Sequence, residues 1–163
     1  MSSEPKVPMT PGCFDRLKAE LKQIKEHDRA ENVRDIEVAR EHGDLRENAE
    51  YHAAKERQGQ LDGRMRYLEA RIGMAQVIDP STIKESKITF GATVTLTDVD
   101  NDTKVVYHIV GEDESDASSG KISISAPIAR AMLGKKVGDE VIVKLPKGDR
   151  EYEVVRVEYK AIP

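Results

Sequence analysis

A chain of 163 residues with 34% charged side chains, 4% aromatics and no Trp has room for one or two small domains, but not for a large aromatic pocket. Its 26 Lys and Arg against 30 Asp and Glu leave a net charge of −4, which argues against whole-surface binding to a nucleic-acid backbone and leaves only local basic spots open. The one cysteine, Cys13, cannot form an internal disulfide, and no apolar stretch serves as a signal peptide or membrane span, so the chain reads as a soluble protein of a reducing compartment, the cytoplasm.

Residues 1–9 contain two prolines and no periodicity, and read as a loose arm. Thr10 and Pro11 have the chemistry of a helix start, a hydroxyl N-cap followed by proline at the first helical position. Phe14, Leu17, Leu21 and Ile24 then recur three and four residues apart, on one stripe of a helix. Between His27 and Glu31 the stripe loses its apolar residues, and Asp28 with Glu31 fits the D-x-x-E pattern of a new helix start. A kink near Asp28 and an uninterrupted helix with a polar patch both fit this pattern. Val33, Ile36 and Ala39 resume a stripe in shifted phase.

A polar turn, His42 to Tyr51, follows and carries two carboxylates, Asp44 and Glu47. Beyond it Tyr51, Ala54, Gln58, Leu61, Met65, Leu68, Ile72 and Ala75 alternate spacings of three and four, the signature of a coiled-coil face. Folding the two helices back about the turn pairs Ile24 with Met65, Leu21 with Leu68, Leu17 with Ile72, Phe14 with Ala75 and Ile36 with Ala54, all in one register. That agreement predicts an antiparallel hairpin. The helix from Asn48 to Ala75 would be roughly 40 Å long, with a seam only two helices wide. Residues 10–78 are therefore expected to form a protruding coiled-coil finger, with an acidic tip at 42–50.

Asp79-Pro80 ends the periodicity, and residues 79–87 read as a linker. From Ile88 the period becomes two: Val94 and Leu96, a turn at Asp100-Asn101-Asp102, then Val105, Tyr107 and Ile109 predict a β-hairpin. An acidic, Ser-rich loop spans 112–120, and Lys121 to Ser125 reads as a short strand. Ser125 can cap a short helix with Pro127 in its first turn, ended by Gly134. Val141 to Leu145 and Tyr152 to Val157 complete a second hairpin. The expected fold is α+β: an N-terminal antiparallel helical hairpin, then an antiparallel sheet domain with one short helix over residues 88–163.

The stretch Ala39-Arg40-Glu41-His42-Gly43-Asp44-Leu45-Arg46-Glu47-Asn48-Ala49-Glu50-Tyr51-His52-Ala53-Ala54-Lys55-Glu56 closely resembles the tip motif of the bacterial Gre family of transcript cleavage factors, GreA type. Val77-Ile78-Asp79-Pro80, Pro127-Ile128-Ala129-Arg130-Ala131 and Gly134-Lys135-Lys136-Val137-Gly138-Asp139 extend the resemblance over nearly all of the chain after residue 9. It implies an FKBP-like fold for the second half, docked at the entrance of the secondary channel of bacterial RNA polymerase. The finger would enter that channel and bring its tip to the active site of a backtracked complex, where the polymerase cuts its own extruded RNA. Asp44 and Glu47 are implied as the functional acids, Arg40 and Lys55 as contacts of the nascent RNA 3′ end, and Ser125, Ala126 and Pro127 as polymerase contacts. Lys stands at 55 where the family often has Arg, which loses a planar fork but keeps the charge. Ser stands at 125 where Asn or Asp is frequent.

The chemistry suits this assignment. Hydrolysis of a phosphodiester with two metal ions needs water activated at one and the leaving oxygen stabilised at the other. Mg²⁺ takes hard oxygen ligands in an octahedron, and one or two carboxylates cannot complete that shell. Asp44 and Glu47 would thus share Mg²⁺ held mainly by the polymerase, and the chain would be no enzyme alone. Against this stands a local alternative, since Asp44-Leu45-Arg46-Glu47 also fits a capping box for the second helix. Arg40 and Lys55 can likewise be solvated helix charges, with Arg40 paired to Glu37. The spacing of His42 and His52 matches no closed zinc pattern. Prolyl isomerase activity needs an aromatic pocket that Phe90, Tyr107, Tyr152 and Tyr159 scarcely supply. The leading expectation is a monomeric activator of polymerase cleavage; the alternative is a channel-binding regulator that inhibits transcription without stimulating cleavage.

Overall fold

The computed structural model describes residues 5–43 and 46–163, so Asp44 lies outside the described residues. Two compact units are formed, one containing Phe14–Ala75 and the other combining Lys6–Cys13 with Gln76–Pro163.

The first unit is a helical hairpin. Helix α1 (Pro11–Gln23) passes without a break through a π-helical turn (Ile24–Asp28) into α2 (Arg29–Arg40), and α3 (Ala49–Gly73) returns. Thr10 caps α1 as its hydroxyl accepts from Cys13 N–H at 3.3 Å. At the polar patch the chain neither kinks open nor continues as regular α-helix. Arg29 N–H donates to Ile24 O, five residues back, and the widened turn shifts the buried stripe. The stripe therefore runs from Ile24 through half-buried Asp28 to Asn32, Ile36 and Ala39. Val33, expected within it, is 48% exposed, because the π turn hands its place to Asn32.

On α3 every expected seam position, from Tyr51 through Ile72, is buried or half-buried. Cross-helix contacts fix the antiparallel sense: Arg64 to Glu20 at 2.8 Å, Lys25 to Glu69 at 3.1 Å, and Arg57 to Glu31 at 3.0 Å. The helices run antiparallel, as the seam pattern predicts.

The second unit holds a five-stranded sheet in the order β5-β4-β3-β7-β6, from β3 (Thr93–Asp98), β4 (Lys104–Val110), β5 (Lys121–Ser123), β6 (Glu140–Val143) and β7 (Arg150–Glu158). All pairings are antiparallel except β4 with β5, which is parallel. Val94 and Leu96 of β3, Ile109 of β4, Val141 of β6 and Val154 of β7 alternate onto one face and pack with Met132 of helix α4 (Pro127–Met132). Hydrophobic burial on this face organises the unit.

Residues 7–9, expected in a loose arm, form strand β1 (Val7–Met9), which pairs with β2 (Ala75–Val77), and Met9 is 1% exposed. The acidic loop supplies the anchor. Glu114 is buried and accepts from Thr10 N–H at 3.0 Å, Thr10 Oγ1 at 2.5 Å and Gly111 N–H at 3.3 Å. Gly111 is required there, because a Cβ would lie 2.3 Å from Pro8 O.

Candidate functional site

The end of the hairpin is built by main-chain geometry first. Glu41, His42 and Gly43 wind down α2 with N–H bonds to Val38, Ala39 and Arg40, and Gly43 takes φ +109°, a left-handed value that favours glycine. Helix α3 then starts at Ala49 with Asn48 as its cap, in extended backbone, and the Asn48 Oδ1 accepts from Tyr51 N–H at 3.0 Å. The cap of α3 is therefore Asn48; of the Asp44-x-x-Glu47 box read from the sequence, Asp44 lies outside the described residues. A capping signal was present in the sequence four residues after Asp44, as an Asn directly before the first seam turn.

Glu47 lies in the turn before this cap, and its side chain is exposed. It takes no part in capping α3. Arg40 and Lys55 are exposed as well. The Arg40 guanidinium sits over the Tyr51 ring, 5.9 Å from its centroid, and Lys55 Nζ donates to Gln58 Oε1 at 2.8 Å. No ion pair joins Arg40 to Glu37 among the described residues. Tyr51 is half-buried, closing the seam as expected, with its ring edge-on to His52. His52 Nε2 bonds Arg46 O at 2.9 Å, which ties the turn to α3, and His42 Nε2 lies 3.9 Å from Glu50 Oε2.

What this arrangement can do follows from its exposure. A cleft lined by His42, Glu47, Asn48, Ala49 and Glu50 is open and polar, with carboxylate oxygens as its hard donors. Those oxygens suit a divalent cation, yet two exposed glutamates, Glu47 and Glu50, offer too few ligands to hold it alone. Among the described residues no three His, Cys, Asp or Glu side chains come together around a point. Glu47 fits as a partial ligand of an ion held elsewhere.

Ser125, Ala126 and Pro127 lie in the sheet unit, described by itself. Pro127 opens α4, but Ala126 is the N-cap and no side chain caps it, so the capping role expected for Ser125 is not met. The Ser125 hydroxyl instead bonds Ser123 Oγ at 2.8 Å and donates to Glu112 Oε1 at 3.2 Å, because Ser123 and Glu112 reach it before the helix N–H groups do. Ser125 and Pro127 are exposed.

Asn32 escaped the sequence reading altogether. A polar residue in a polar stretch carries no burial signal, and only the π turn brings it into the seam.

Comparison with known proteins follows the same division. The family profile described as "Transcription elongation factor, N-terminal" matches residues 7–77, and "Transcription elongation factor, GreA/GreB, C-term" matches residues 83–159. Transcription elongation factor GreA of Thioalkalivibrio sulfidiphilus is 51% identical over 155 residues, 94% of this chain and 98% of that protein. GreA of Francisella philomiragia is 50% identical over 156 residues, 95% and 98% of the two chains. Among solved structures, GreA factor homolog 1 of Thermus thermophilus aligns with a TM-score of 0.43 at 25% identity, over 94% of this chain and 99% of its own.

Proposed function

The chain belongs to the GreA/GreB family of transcription elongation factors, and we propose from that premise that it stimulates the hydrolytic cleavage of backtracked RNA by bacterial RNA polymerase. In this reading the hairpin enters the secondary channel, its end meets the extruded RNA 3′ end, and the sheet unit docks at the channel entrance through Ser125, Ala126 and Pro127. The observation that carries the reading is an exposed carboxylate, Glu47, flanked in the same unit by exposed Arg40 and Lys55 and left unused by the cap of α3.

Asp44 and Glu47 would hold Mg²⁺ jointly with the polymerase. When bound, the ion supplies activation of water and stabilisation of the leaving oxygen. Glu47 acts as an acceptor that orients the attacking water. Arg40 and Lys55 bring positive charge to the phosphates, Arg40 steadied by the Tyr51 face beneath it. No side chain of this chain alone completes the site.

The test is substitution with near-isosteres. Because Asn48 makes the cap, Asp44→Asn and Glu47→Gln should leave α3 and polymerase binding intact. Each should lower stimulated cleavage in stalled complexes on the order of 10–100-fold, as loss of a supporting metal contact does. Undiminished cleavage by both variants overturns the metal role. Polymerase binding with inhibition and no cleavage by the unsubstituted protein would point to the regulator instead.

A further inference from the structure

Two asparagines near the hairpin end bond to main chain across the seam. Asn32 of α2 is 2% exposed in a stripe otherwise made by residues such as Ile24, Ile36 and Ala39, and its Nδ2 donates to Ala54 O of α3 at 2.9 Å. Asn48 returns the contact, its Nδ2 donating to Ala39 O of α2 at 2.5 Å. Each acceptor belongs to an alanine, whose methyl leaves a helix carbonyl open to a side chain from the facing helix. The other α3 seam positions from Tyr51 to Ile72 carry larger side chains.

The remaining cross-helix pairs discriminate register poorly. Arg57 lies 3.0 Å from Glu31 and 3.6 Å from Asp35, which are one turn apart on α2, so a slip by one turn still offers it an acid. Arg64–Glu20 and Lys25–Glu69 are solvent-exposed, and such pairs hold weakly against water. Apolar seams tolerate slippage, whereas a buried amide that has lost its acceptor does not. A slip of one turn would move the α3 end of the tip by ~5.4 Å against α2.

We propose that Asn32, with Asn48 as its counterpart, is a positioning residue of the tip: the two amide-to-carbonyl bonds fix α2 and α3 in the one register that presents Arg40, Glu47 and Lys55 for stimulated cleavage. The register stands on the seam geometry; its consequence for cleavage rests on the function proposed above. Asn32 touches no reacting group.

The test joins a distance to an activity. Nitroxide labels on Glu37→Cys and Glu56→Cys, both exposed sites, in a full-length Cys13→Ala background report the α2–α3 distance by pulsed electron paramagnetic resonance. One narrow distance is expected with Asn32 in place. Asn32→Leu and Asn32→Ala should each add a population displaced by ~5 Å, the rise of one turn. Both should slow stimulated cleavage about tenfold while polymerase affinity is unchanged. Asn32→Leu should do so while raising the melting temperature, a combination that a purely structural role does not give, and Asn32→Gln should partly restore both readouts. A single undisplaced distance in both the Leu and Ala variants overturns the register role. A displaced distance with undiminished cleavage overturns the positioning role. If the unsubstituted protein stimulates no cleavage, the proposed function falls while the distances still decide the register.

Discussion

Glu114 carries a carboxylate into a site 8% exposed, where three donors from Thr10 and Gly111 converge on its two oxygens. A buried charge is tolerated when its lone pairs are filled, and removing the acceptor leaves its partners without bonds in a dry site. Glu114→Ala is therefore expected to destabilise the sheet unit by about 3 kcal/mol, read as a lower denaturant midpoint at unchanged slope. Glu114→Gln, which turns an amide N–H₂ toward at least one donor, should fall between. An effect near zero for both would mean that β1 is held by packing alone. Nothing in the sequence marked this residue: its loop reads as acidic and Ser-rich, and the Thr10 partner is 104 positions away. Asn32 was hidden for the same reason, since a polar letter does not announce that its acceptor lies on another helix. Glu47, Arg40 and Lys55 were named by the resemblance of the tip stretch to the Gre family, and all three side chains are exposed, whereas their partners in the turn left no mark in the sequence.

At the scale of elements, the hairpin was read well because one periodicity governs it. Apolar residues three and four apart specify both a helix and its facing partner, so α3 and the first half of the opposing seam follow directly. The shift of phase near Asp28 was legible, but not its cause or the Asn32 it buries, since the π turn Ile24–Asp28 inserts a residue without any proline or glycine to mark it. The sheet was legible by alternation, but not the parallel pairing of β5, which depends on a crossover of the chain and not on pattern. One element in this sheet also titrates. His108 of β4 shares a 2.9 Å hydrogen bond with Thr93 Oγ1, and burial, then the Lys160 and Lys121 charges, hold its imidazole below the ordinary value of 6.5. The unfolded chain thus takes up a proton first as pH falls. Stability contributed by neutral His108 is complete above the unfolded value and is lost as pH drops from about 6.5 toward the depressed native one. His108→Gln, which keeps a hydrogen-bonding group for Thr93, is expected to flatten the decline in denaturant midpoint between pH 7.5 and 5.5 as defined by that window. An identical slope in the two proteins would assign the pH dependence to other groups.

For the whole molecule the decisive quantity is how many ligands the chain can bring to one ion. A net charge of −4 gives no general affinity for RNA, so any contact with the 3′ end must be local, through residues such as Arg40 and Lys55. The hairpin end offers Glu47 and, by the proposal, Asp44, while a hard divalent cation seeks about six oxygens. Water can fill the remaining places, but an exposed carboxylate such as that of Glu47, in high dielectric, binds the ion weakly and orients nothing alone. The protein alone should accordingly leave a short RNA intact in millimolar Mg²⁺, and the same protein added to a backtracked polymerase should release fragments from the RNA 3′ end. Denaturing gel analysis of end-labelled transcript separates the two conditions, with the Glu47→Gln variant as control for a contaminating nuclease. Cleavage of free RNA that Glu47→Gln abolishes would make the chain an enzyme in its own right and overturn the shared site. Cleavage confined to the complex would mean that catalysis is assembled across two proteins, with Glu47 contributed by a hairpin in which Asn48 carries the cap of α3 and the seam carries the packing.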